Sequence, residues 1–275
     1  MKEGISIRYG IIGTGNMGSM LTTSFITSKA VSARDLVIYN RSAEKALKLK
    51  KIYKNLTVAS SLEEVTNNSD VIFLCVKPHH FKDVLDPLNH NLNDSHCLVS
   101  ITSPVSVNEL ENHTPCQVAR IVPSITNRAL SGVSLFTFGE RITEGNKQNL
   151  RTLFKTISHP VEIEEEYIRA SSDIVSCGPA FVSFLLKNWI ESAHKVSGIP
   201  QEKATELTEE MMIGLGTLLS KKIFSLDELM EKVTVKGGVT GEGLKALESH
   251  VGPLFEEMFT ATQRKHLEDK KTIKF

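Results

Sequence analysis

The run Gly10–Gly18, GIIGTGNMG, constrains this chain more than any other stretch. It closes an apolar segment, sets glycines at 13, 15 and 18, and leads at once into the helical pattern MGSMLTTSFITS. Strand, glycine turn and helix in that order open a βαβ unit. Gly13 permits the tight turn, Gly15 lets backbone amides approach a pyrophosphate, and Gly18 lets the helix pack close to the strand. Thr14, Asn16 and Met17 complete a dinucleotide cradle, with phosphate at the positive helix end.

The rest of the N-terminal half extends this plan. Apolar runs ISIRYGII, DLVIYN, DVIFLCV, HCLVSI, QVARIV and GVSLFTF alternate with helical stretches from Ile5 to about Val161. The intervals predict an α/β fold with a Rossmann-type, doubly wound, mostly parallel sheet and helices on both faces. Ser61 to Glu64 and Ser106 to Glu109 read as capping boxes. After LVIYN stand Asn40, Arg41 and Ser42, where NAD binders usually place an acid for the ribose 2′-hydroxyl. Arg41 can pair with a 2′-phosphate and its two neighbours can donate hydrogen bonds, which favours NADPH/NADP over NAD. The alternative leaves Arg41 on the surface and Ser42 as a helix cap. Val76, Lys77 and Pro78 follow a strand at the carboxyl edge of the sheet, where the cofactor passes, and Pro78 suits a helix start. His79 and His80 are adjacent rather than on one helix face, so no metal site is expected.

From about Glu164 the strand pattern disappears, which predicts domains 1–163 and 164–275. Helices are expected over Pro179–Val196 and Gln201–Lys222, and over a short stretch to about Lys232 opened by a Ser225–Glu228 capping box. The loop containing Gly237 and Gly238 and two further helices finish the chain. The stripe through Phe181, Phe184, Leu185 and Trp189, with a second through Val182, Leu186 and Ile190, is wider than a one-sided surface helix needs. The C-terminal half is therefore expected to be an all-α dimerisation domain joining a homodimer. Gly237 and Gly238 just before Thr240 suit an anion at a helix start, yet Val235 and Lys236 precede them where a hydroxyl would add a donor.

Composition narrows the classes of partner. Lysine plus arginine equals aspartate plus glutamate at 32 each, so no nucleic-acid or acidic-membrane partner is expected. The basic cluster Lys265–Lys274 reads as a solvated, frayed terminus. Ser6, Arg8 and Gly10 interrupt what a signal peptide would keep apolar, and no run is long enough to span a bilayer. Cys75, Cys97, Cys116 and Cys177 form no CxxC pair, which suits reduced thiols in a cytoplasmic protein. Cys177 in SCGPA is set aside as a nucleophile, since no histidine lies nearby in sequence.

In order along the chain, GIIGTGNMG, NRS, VKP, SITSPV, RIVPS, SCGPAF and VTVKGGVTGEGLKALE resemble the pyrroline-5-carboxylate reductases, and within them the late-competence branch of sporulating Gram-positive bacteria. The resemblance covers nearly the whole chain. It implies an NADP-binding Rossmann domain, a helical dimerisation domain, and reduction of a cyclic imine to proline. It also implies that Gly237, Gly238, Val239 and Thr240 hold the substrate carboxylate through backbone amides, with the Thr240 hydroxyl near the ring nitrogen. The departures are local. Val235-Lys236 stands for Ser-Pro, Ser103-Pro104 for Ala-Gly, and Pro123-Ser124 for Pro-Asn. Losing one donor to a charged ligand costs about 1.5–3 kcal/mol. A catalytically weak, NADP-binding paralogue with a regulatory role is therefore the alternative function. A β-hydroxyacid dehydrogenase is a more distant one, because its lysine four residues after a helix-opening glycine would fall at Val182, not Lys187.

Overall fold

The computed structural model describes residues 7–273, so Ile5 and Ser6 of the first apolar run and Lys274 of the basic tail lie outside the described residues. The chain divides into two compact units. One runs to Pro179 and takes up the chain again from Thr262; the other is Ala180–Ala261. Just after position 163/164 the chain still leans on the sheet, where Ile168 packs with Val122 and Leu135.

In the first unit the strands are β1 (Tyr9–Ile12), β2 (Leu36–Tyr39), β3 (Thr57–Val58), β4 (Val71–Leu74), β5 (Cys97–Ser100), β6 (Gln117–Val122), β7 (Val133–Phe138) and β8 (His159–Glu162). Their order in the sheet is β3-β2-β1-β4-β5-β6-β7-β8, and every pairing is parallel except β6 with β7. The short β3 and β8 carry too few apolar residues to be read from pattern alone.

Helices α1 (Asn16–Thr27), α2 (Ala43–Ile52), α3 (Leu62–Asn67), α4 (Phe81–Asn89), α5 (Val107–His113), α6 (Glu144–Lys155) and α7 (Ile168–Ser172) belong to the same unit. Strand side chains alternate between two buried clusters. Ile11, Ile38, Phe73 and Val99 meet Leu21 and Phe25 of α1 and Phe154 of α6. Ile12, Val37, Leu74 and Leu98 meet Val65 of α3, Phe81 of α4 and Leu110 of α5. The Ser106–Glu109 capping box forms in full. At Ser61 only half forms, because Glu64 turns its carboxylate to Ser60 N and Oγ at 2.7 and 2.8 Å instead.

In the second unit lie α8 (Gly178–Ser197, from Ala180), α9 (Gln201–Ser220) and α10 (Leu226–Val233), the last with its complete Ser225–Glu228 capping box. A π-turn, Asp173–Cys177, leads into α8. After the glycine loop one helix, α11 (Val239–Thr272), replaces the two expected. Pro253 lies inside it; that position loses one backbone hydrogen bond, and the turns on either side carry the helix through. The basic tail is likewise helical to Thr272, and Ile273 packs against the buried cluster of the first unit, so this end is anchored rather than frayed. No helix among the described residues is long and apolar enough to cross a membrane.

Candidate functional site

The glycine turn joins β1 to α1. Gly13 has φ 97°, and a Cβ there would sit 2.6 Å from the Cys75 carbonyl oxygen. A Cβ on Gly18 would lie 1.9 Å from the Gly13 oxygen. Both positions therefore need glycine for the fold itself. Gly15 differs: a Cβ there would meet nothing within 4 Å, so the open side of the turn faces away from protein. Gly15 is also the N-cap of α1, with no side-chain cap and no acidic residue in the first turn. The free amides and positive dipole end are left for an anion. Thr14 Oγ1 is buried without a partner beside them, a polar group that a ligand or water would satisfy.

Asn40 acts on this turn in a way the sequence did not suggest. Its Oδ1 accepts from Thr14 N at 2.9 Å and its Nδ2 donates to Ser42 O at 2.9 Å, so both polar ends are engaged within the protein. Arg41 is exposed. Ser42 is the N-cap of α2, but its hydroxyl makes no capping bond and stays available. Lys77 is exposed at the carboxyl end of β4, and Pro78 opens a single 3-10 turn before α4. Val76 packs against the second cluster. The first unit thus brings together the turn, Asn40–Ser42 and the β4 edge.

Past β5 and β6 the structure reveals charged residues that no pattern singled out. Arg120, in the middle of apolar β6, is fully buried and forms a two-pronged ion pair with Glu165: Nη1 to Oε1 at 3.1 Å and Nη2 to Oε2 at 2.6 Å. Arg169 pairs with Asp173, which is 1% exposed and also accepts from Thr262 Oγ1 at 2.7 Å. An arginine inside the run QVARIV was the one available signal, and sequence spacing could not show what it meets. Ser124 turns inward, its amide donating to Asn127 Oδ1 at 2.8 Å, while Ser176 Oγ donates to Pro123 O at 2.7 Å. Burial raises the thiol pKa of Cys75, Cys177 and Cys97, the last to about 12, which argues against a thiolate at any of them. The His79 and His80 rings lie tilted against each other with centroids 4.2 Å apart, and no three acidic, histidine or cysteine side chains among the described residues form a metal cluster.

In the second unit the loop between α10 and α11 carries the other candidate residues. Gly237 has φ 75°, and Gly238 N donates to Val235 O at 2.9 Å, which closes a tight turn. A Cβ on Gly238 would lie 2.6 Å from Val235 Cγ2, so the valine covers this glycine. Val235 is 64% exposed and Val239 90% exposed; Lys236 is exposed, and Thr240 is half-buried in the first turn of α11. Thr234 Oγ1, just before them, is buried without a partner. Glu242 in the first turn is met by Lys245 at 2.7 Å, which offsets its charge near the helix start. Lys187, on α8, is exposed and lies 3.7 Å from Glu191.

Fold and turn define a chain with a dinucleotide-binding domain followed by a helical one. Residues 8–104 match the model of the NADP oxidoreductase, coenzyme F420-dependent family, and residues 165–269 that of pyrroline-5-carboxylate reductase dimerisation. Over 268 residues, 98% of both chains, it is 47% identical to ComE operon protein 4 of Bacillus subtilis. It is 30% identical to pyrroline-5-carboxylate reductase 3 of the same organism over 258 residues, 94% of both. The pyrroline-5-carboxylate reductase of Coxiella burnetii has the same fold, with a TM-score of 0.85 over 98% of this chain and all of that one at 22% identity. This chain belongs to the pyrroline-5-carboxylate reductase family.

Proposed function

We propose that the protein is an NADPH-dependent reductase of a cyclic imine carboxylate, taking pyrroline-5-carboxylate to proline in the cytoplasm. The observation that carries the cofactor is the cradle: an uncapped helix start, open space over Gly15 and the orphaned Thr14 hydroxyl. Gly13–Gly18 hold the pyrophosphate; Arg41 and Ser42 take the 2′-phosphate. Asn40 holds the turn in register with them, and Val76, Lys77 and Pro78 line the cofactor's path. When bound, NADPH would supply a hydride for the C=N carbon, with solvent supplying the proton that the ring nitrogen needs. The chain itself must orient a small carboxylate. Of the amides from Gly237 to Thr240, all but that of Gly238, which closes the turn onto Val235 O, attract it at the helix start, and the Thr240 hydroxyl donates toward the ring nitrogen. NADP is reported bound to the Plasmodium falciparum reductase, whose fold matches with a TM-score of 0.84 over 98% of this chain and 99% of that one at 22% identity, in keeping with this reading.

The assembly is a homodimer through the helical unit. Of residues 180–261 only Ala204 and Thr208 are buried in the single chain, and α8 has no buried residue at all. Helices with wide apolar faces and no core of their own need a partner.

A second reading has its own support. Val235 and Lys236 occupy the substrate loop without a hydroxyl, and a high identity is to ComE operon protein 4. On that reading the protein binds NADP, turns over weakly and acts in regulation. One assay decides: purified protein with NADPH and racemic pyrroline-5-carboxylate, followed by absorbance loss. Turnover comparable to an ordinary reductase supports the enzyme; tight NADPH binding with no imine reduction supports the regulatory protein.

A further inference from the structure

The turn after β5 is held more firmly than a surface turn requires. Arg120 Nη1 donates to Ser103 O at 3.3 Å and to Val105 O at 3.2 Å, and Arg169 Nη1 donates to Ser103 Oγ at 3.1 Å. Pro104, between these anchors, has a restricted backbone and no amide to donate. Arg169 is itself fixed: Nε and Nη2 grip Asp173, leaving Nη1 for the serine. Such buried arginine–carboxylate pairs are weak sources of net stability, so geometry is the better account of them here. A lysine could neutralise Asp173 but could not also reach Ser103 with a planar fork.

The position of this turn gives that geometry a use. A dinucleotide anchored at the carboxyl end of β1 extends across the carboxyl ends of the neighbouring β4 and then β5. Ser103 ends that path, still 8% exposed. Its oxygen accepts from Arg169, so its own proton remains to be donated, and among the described residues Arg169 is the one partner of that hydroxyl. A cation on the oxygen strengthens the O–H as a donor.

We propose that the Ser103 hydroxyl receives the carboxamide oxygen of the nicotinamide, and that Arg169 is the positioning residue that aims it. This rests on the cofactor reading above but not on any substrate. The test is binding, measured by NADPH fluorescence titration and by competition with 2′,5′-ADP, which has the phosphates but no nicotinamide. Ser103→Ala, which leaves the Arg169–Asp173 pair in place, is expected to weaken NADPH about tenfold and leave 2′,5′-ADP within about twofold. Arg169→Lys is expected to give the same loss, and the double variant no further loss, because the two act through one contact. Parallel weakening of 2′,5′-ADP would show a merely structural role and overturn the proposal. So would wild-type NADPH affinity in Ser103→Ala, or losses that multiply in the double variant. If the unaltered protein binds neither probe, the cofactor reading itself fails, and this inference with it.

Discussion

In the first unit Phe25, Phe73, Phe136 and Phe154 are fully buried, and Phe154 meets the other three at centroid distances of 5.4–6.0 Å. In the second, Phe184, Trp189 and Val196 are 67, 59 and 87% exposed. The same kinds of side chain close a core in one region and stand open in the other. Apolar periodicity is present in both; what differs is whether this chain supplies the opposing surface. A parallel sheet brings its own covering helices through βαβ connections, whereas a helical hairpin with apolar faces on more than one side requires a surface from elsewhere.

The hardest blow to this contrast is a charge on the open face. Phe184→Glu with Trp189→Glu is expected to convert a two-chain particle to one chain in sedimentation and to lower the helical circular dichroism. Each residue forfeits roughly 1.5–3 kcal/mol of burial in the pair. An unchanged mass would show that these helices are not the joining surface. The first unit should break from inside instead. Gly13→Ala, at φ 97° and against the Cys75 carbonyl, is expected to lower the melting temperature by several degrees, an effect of about 1–3 kcal/mol. Gly15→Ala should fold as well as the parent yet bind NADPH more weakly, because its Cβ would enter the open side of the turn; equal melting losses at both glycines would remove that distinction.

A smaller effect belongs to the loop of the second unit. Val235→Ser is expected to lower the Michaelis constant for the imine carboxylate by up to about tenfold, by restoring a donor to a charged ligand. An unchanged or higher constant would refute this account of the loop. The smallest effect concerns pH. Burial and the nearby Arg169, Lys270 and Arg120 depress the pKa of His266, against a weaker opposite pull from Asp269. Below about pH 6.5 the unfolded chain takes up a proton that the folded chain still refuses, so stability falls as the pH drops through that range and levels off below the folded pKa. In thermal melts His266→Gln should flatten this part of the profile, and a parallel slope in the variant would assign it to other groups.

The two glycine turns of the candidate site were legible because their steric demands are local. Gly13, Gly15 and Gly18 declare a turn through steric demands set within a few residues, and Gly237–Gly238 before Thr240 does the same. Asn40 carries a further role that its sequence position does not show: its side chain joins the Thr14 amide, 26 residues away, to the Ser42 carbonyl. Two helices are expected after the glycine loop, yet the single helix α11 runs on through Pro253.

The sequence alone determined the α/β order, the glycine turn after β1, the family and the change to a helical second half, since all of these follow from periodicity and short motifs. Only the tertiary structure decided that Arg120 and Arg169 converge on Ser103, that the tail returns to the first unit, and that β7 runs antiparallel to β6. The physical reason is range. Turn sterics and helix periods are set by neighbours along the chain, whereas ion pairs and sheet edges depend on residues that folding brings together from far apart.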